Sequence, residues 1–182
     1  YVCIVTKGYP PHFSETRTSQ NKADAIRCHN SIGVKETIFL DFPAVLLETV
    51  DRFELNGKLL EVINRIQPDE VYIPHYGDMQ RDHIIVTEAS MVALRPKYFP
   101  QVKRIYGYET MSETNWNVPN VQNAFIPNVY VDITDTLTDK LKALSYYKLQ
   151  ISDFPDARST GAIEALAKYR GSLMHWFAAE AY

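Results

Sequence analysis

The sequence predicts an α/β fold with a mainly parallel sheet between helical layers, and three observations carry that reading. Short runs rich in β-branched and aromatic residues recur at Tyr1–Thr6, Thr37–Leu40, Val71–Pro74 and Arg104–Tyr108. The stretches between them space apolar residues at i, i+3, i+4 and i+7, the face of a helix. The intervals also have crossover length, whereas a hairpin needs only a few residues. Strands and helices alternating in this way build parallel βαβ units with helices on both faces, a Rossmann-like three-layer arrangement.

Each element has its own signal. Lys7-Gly8 and Pro10-Pro11 close the first strand, and the polar stretch His12–Gln20 carries the chain away. Ala25, Cys28, His29 and Ile32 mark the first helix, with Gly33 as its stop. Asp41-Phe42-Pro43 is expected to end the second strand. Leu59, Val62, Ile63 and Ile66 mark a second helix, which Pro68 prevents from continuing. Ile85, Ala89 and Val92 form a third stripe ending before Pro96. The polar connection Glu109–Pro127 carries Trp116 and is long enough to be functional. Beyond it lie a strand at Val129–Ile133 and a helix around Leu137, Leu141 and Leu144, which Thr134 or Thr136 could cap. A last helix is expected over Thr160–Tyr169, with Ile163, Leu166 and Ala167 inward and Gly171 as its stop.

With 182 residues, 46% hydrophobic and 23% charged, the chain fits one ordinary globular domain with a sizeable core. A net charge of −3 gives no support for nucleic-acid binding. No apolar run is long enough to span a bilayer, and no signal-peptide pattern is present. Cys3 and Cys28 form no metal-ligand spacing and read as small buried hydrophobes in a reducing, cytoplasmic compartment. The chain opens on Tyr1 inside a strand, without Met, so residues upstream are expected to be missing from this sequence.

The densest chemistry is Pro74–His83, between a strand and a helix, where open α/β sheets hold their ligands. His83 could present a ring nitrogen to a metal with Asp82 orienting the ring, or it could cap a helix. His75 reads as a second ligand, a proton carrier, or a hydrogen-bonded histidine under the loop. Asp78 and Asp82 could position substrate or serve turn and N-cap chemistry. Glu109, just past a strand, has the same ambiguity. Arg17 and Arg158 could grip anionic or hydroxyl-rich groups, or form surface ion pairs. His175 and Trp176 read as core-edge residues. No GxGxxG, Walker or GxSxG pattern occurs.

The segment Pro68–Ala89, PDEVYIPHYGDMQRDHIIVTEA, resembles the PIG-L/LmbE family of zinc-dependent N-acetylglucosaminyl de-N-acetylases. VCIVTKG, ETRTSQNKADAIRCHNSIGV, FLDFPAVLLETV, GYETMSETNW, PNVYVDIT and RGSLMHWFAAEAY are similar to further family segments, in order. The resemblance implies a single deacetylase domain over 1–182 that lacks its first βα unit. It implies hydrolysis of an N-acetyl group on an N-acetylglucosamine-type conjugate by metal-activated water, with Zn2+ or another divalent metal as cofactor. In the family the His ending a His-x-Asp-His motif binds zinc, here His83 after Asp82. The motif's first His is Gln80 here, which cannot carry a proton as imidazole does, leaving His75 or Asp78 to donate. Arg17 and Glu109 would contact substrate. Arg158-Ser159 matches a late family loop near the site, with Asp156-Ala157 in place of its His-Pro. The family's His-Pro-Asp-Asp-Glu stretch, which supplies the other ligands and the base, is absent from this sequence. A catalytic zinc takes three protein ligands. The chain as given is therefore expected to be inactive and to hold no stoichiometric zinc. A catalytically inactive sugar-conjugate-binding protein of the same fold is the alternative. A homo-oligomer is compatible with either reading.

Overall fold

The structure is a computed structural model that describes residues 1–182. In chain order it contains β1 (Val2–Lys7), α1 (Glu15–Ser31), β2 (Thr37–Pro43), a 3-10 turn at Leu47–Thr49, α2 (Arg52–Ile66), β3 (Glu70–Pro74), α3 (Arg81–Ala93), β4 (Arg104–Tyr108), β5 (Tyr130–Asp132), α4 (Leu137–Leu144), α5 (Thr160–Ser172) and β6 (Ala179–Ala181). The α/β class read from the sequence is the class observed. Pairing is divided into three two-stranded sheets, β1 with β2, β3 with β4 and β5 with β6. β3 and β4 run parallel, in register from Glu70↔Arg104 to Pro74↔Tyr108. No helix is long and apolar enough to cross a membrane.

Several boundaries differ from the sequence reading, each for a local reason. α1 starts inside the polar stretch because Ser14 caps it, its hydroxyl accepting from the Arg17 N–H at 3.2 Å. β2 continues through Asp41-Phe42-Pro43, with Asp41 itself at φ 56°. Neither threonine caps α4: the N-cap Thr136 makes no side-chain bond, and the Thr134 hydroxyl donates to Asp132 at 2.6 Å. β6, antiparallel to β5, gave no sequence signal because Ala-Glu-Ala is short and weak in β propensity. Gly171 does not stop α5. It lies in the last turn, where an added Cβ would stand 2.7 Å from the Ala178 backbone.

The chain forms two compact units. Tyr1–Cys3, Gly8–Ile38 and Ile126–Tyr182 make the first, with α1, α4, α5 and the β5–β6 pair. Its core gathers Leu137, Ala167 and Ala178, with Ile133 and Leu141 packed against them. Ile4–Lys7 and Phe39–Phe125 make the second, in which α3 packs on α2, on β3 and on the 3-10 turn around buried Leu47, Leu55, Ile73 and Ile85. The Thr87 hydroxyl of α3 donates to the Pro74 carbonyl at 2.8 Å, tying the helix to the end of β3.

Two outcomes are expected. Gly171→Ala should destabilise the fold by about 1–3 kcal/mol, because backbone rather than a movable side chain meets the new methyl; urea unfolding measures it. Burial holds the His29 imidazole below its ordinary pKa, with its Nδ1 2.8 Å from the Thr37 hydroxyl. A histidine with a lowered folded pKa favours the neutral form, so its contribution is intact above about pH 6.5 and is lost as pH falls from there. Thermal melts against pH should show this decline, and His29→Gln should flatten it.

Candidate active site

The parallel register of β3 and β4 finishes both strands together, so His75 and Glu109 open neighbouring loops at one sheet edge. The His75 N–H donates to the Tyr108 carbonyl at 3.0 Å, extending the ladder by one bond. A turn follows, closed by the Asp78 N–H on the His75 carbonyl at 3.2 Å, and α3 begins with Gln80 at its N-cap. The Gln80 side chain makes no capping bond.

His83 is fixed through its Nδ1, which lies 2.7 Å from Asp78 Oδ2. A carboxylate only accepts, so Nδ1 carries the hydrogen and Nε2 keeps its lone pair. The imidazole is 28% exposed, while the Asp78 side chain is fully buried. Its other oxygen accepts from the Thr114 hydroxyl at 2.5 Å, and that hydroxyl in turn accepts from the Thr110 N–H at 2.7 Å. The result is an unbroken run of hydrogen bonds, from Thr110 through Thr114 and Asp78 to the ring of His83. Tyr108 stands close enough to feel it: burial, then the negative Asp78, push its phenol above the ordinary tyrosine range.

Asp82, next to His83 in sequence, does different work. It is buried, and its oxygens accept from the backbone N–H groups of Val45 at 2.7 Å and Leu47 at 3.4 Å. Val45 has φ 60°, a costly value for a β-branched residue, and the Asp82 bond helps to hold it there. Orientation of the His83 ring, which the sequence reading assigned to Asp82 or a backbone carbonyl, falls geometrically to Asp78.

His75 clamps the far end of the β4–β5 connection. Its Nε2 donates to the Asn123 carbonyl at 3.1 Å and its ring meets Phe125 edge-on at 5.2 Å. Asn117 holds the near end, its amide donating to the carbonyls of Gly77 at 2.9 Å and Asp78 at 3.3 Å. Gly77 must be glycine here, since a Cβ would run into the Asn123 carbonyl and His75 Nε2. Arg17 and Arg158 belong to the other compact unit and both are exposed; the Arg158 guanidinium donates to Gln150 at 3.1 Å. Thr110, Thr114, Asn117 and Tyr108 were not singled out in the sequence. The length of the connection was the one signal that pointed toward the first three.

As for a metal, His83 Nε2 is a suitable imidazole donor with an orienting carboxylate behind it. No group of three or more His, Cys, Asp or Glu residues is placed to hold an ion. The residues of this chain thus fit one ligand position of a catalytic zinc and not the three it takes.

Asp82→Ala should leave two backbone N–H groups unpaired and cost about 1–3 kcal/mol by chemical denaturation. Gly77→Ala should cost a similar amount by displacing the Asn123 segment.

Residues 1–94 match the family model described as PIG-L, GlcNAc-PI de-N-acetylase. An uncharacterized deacetylase of Escherichia coli K12, YaiS, is 32% identical over 139 residues, 71% of this chain and 63% of that protein. The chain therefore spans less than two thirds of the length of that relative. Among solved structures, the conserved protein TT1542 from Thermus thermophilus superposes with a TM-score of 0.75 at 20% identity, covering 98% of this chain and 79% of that one. The N,N'-diacetylchitobiose deacetylase from Pyrococcus horikoshii gives 0.72 at 18%, covering 98% and 70%. GalB, the 4-carboxy-2-hydroxymuconate hydratase from Pseudomonas putida, gives 0.72 at 14%, covering 98% and 82%. At those identities the structures speak to fold alone. The family match covers just over half of the residues, and on that ground the chain belongs to the PIG-L family of de-N-acetylases.

Proposed function

We propose that this chain serves the hydrolysis of an N-acetyl group on an N-acetylglucosamine-type amino-sugar conjugate, within a domain spanning 1–182. The observation that carries the reading is the His83–Asp78–Thr114 relay. It fixes one imidazole with its outward nitrogen unprotonated, at the strand edge where this fold places its chemistry. His83 would supply one ligand to a divalent metal, zinc in the first instance. A metal of that kind polarises the amide carbonyl and activates water. Asp78 holds the ring of His83, and Asp82 holds the 45–47 backbone beside α3. Gln80 offers an amide that donates or accepts hydrogen bonds but transfers no proton. Glu109, Arg17 and Arg158 remain proposed substrate contacts. Two free cysteines, Cys3 and Cys28, favour a reducing, cytoplasmic setting.

A second reading is a binding protein of this fold without catalysis. Gln80 in place of an imidazole and the single metal donor favour it. Acetate release separates the two. The protein in its natural full length, supplied with Zn2+, should release acetate from N-acetylglucosamine glycosides. Asp78→Asn should lower metal affinity or kcat/KM by about 10–100-fold, as loss of an orienting partner does. Glycosides that bind without acetate release would make the binding reading the correct one.

A further inference from the structure

The connection after β4 is pinned as an arch. Thr114 bonds Asp78, Asn117 bonds the carbonyls of Gly77 and Asp78, and His75 holds Asn123. Against that tight backbone, the arch leaves its large apolar side chains in solvent: Trp116 is 77% exposed, Val118 69% and Val121 86%. The site loop does the same with Tyr76 at 56% and Met79 at 51%. Two of these residues are neighbours, because the N–H groups of Met79 and Trp116 both donate to the Glu113 carbonyl, each at 3.2 Å. Glu113 directly precedes Thr114, so this apolar surface begins one residue from the relay that orients His83.

Isolated exposed apolar residues are ordinary, but a set held on two mutually bonded loops beside a candidate site is a recognition surface. Its ordering cost is already met in the free protein, which favours binding. An indole alone would cover the apolar face of one sugar ring. A tryptophan with two valines, a tyrosine and a methionine offers more apolar surface than an amino sugar can use. We infer that the Trp116 arch, with Tyr76 and Met79, binds an apolar aglycone carried by the amino sugar, an assignment that rests on the deacetylase reading of the same site.

Calorimetry on the natural full-length protein tests this with the phenyl and methyl β-glycosides of N-acetylglucosamine, alongside acetate release from both. The phenyl glycoside should bind about tenfold tighter. Trp116→Ala should bring the two within about twofold, Trp116→Phe should keep most of the preference, and Val121→Ser should reduce it in part. Equal binding by the unaltered protein, or a preference that survives Trp116→Ala, overturns the assignment even where acetate release upholds deacetylation. A Trp116-dependent phenyl preference without acetate release upholds the surface and overturns hydrolysis. Self-association in sedimentation that Trp116→Ala abolishes would give the arch to a second copy of the chain and overturn the aglycone.

Discussion

A carboxylate taken fully out of water is strongly unfavourable unless donors replace its hydration, and Asp78 is such a group. Two donors surround it. One is the ring N–H of His83 and the other the hydroxyl of Thr114. Both are obligatory for the same reason, so the arrangement of three separate segments follows from one buried charge. The Thr114 hydroxyl uses both of its capacities, accepting from the Thr110 N–H and donating to Asp78. The short turn at Thr110–Thr114, closed by N–H bonds from Glu113 and Thr114 to the Thr110 carbonyl, is shaped to deliver it.

Asp82 shows how local geometry divides labour between similar side chains. Successive residues on a helix project about 100° apart, so Asp82 and His83 serve different surroundings although they adjoin in sequence. Asp82 turns to the 45–47 backbone and stabilises a β-branched residue in a left-handed conformation. Asp78, outside the helix, is free to approach the ring. One carboxylate orients the chemistry, and the other secures the frame on which α3 is set.

Much of this was legible in the residues. Period and punctuation located β3, α3 and β4 closely, because apolar spacing and prolines act locally. The Pro74–His83 loop stood out by its side chains, and parallel pairing put its start beside Glu109. The partners were not legible. Thr114 lies 36 residues from Asp78, and Val45 lies 37 from Asp82. Nothing in a string shows which of several threonines or aspartates will meet. The same limit hid β6, whose three residues acquire a strand geometry only by pairing with β5, and Gly171, which read as a helix stop but answers to close backbone packing.

The bonds from Asn117 to the carbonyls of Gly77 and Asp78 join recognition and chemistry into one mechanical part. Redesign of this protein for other substrates would therefore meet an uneven surface of permitted change. Thr114, Asn117 and Asn123 are the feet of the arch, and exchanging them would shift Asp78 and misaim His83. The span between Asn117 and Asn123 touches the relay only through those feet, so it is where natural drift or a designed library could alter selectivity while leaving the relay in place.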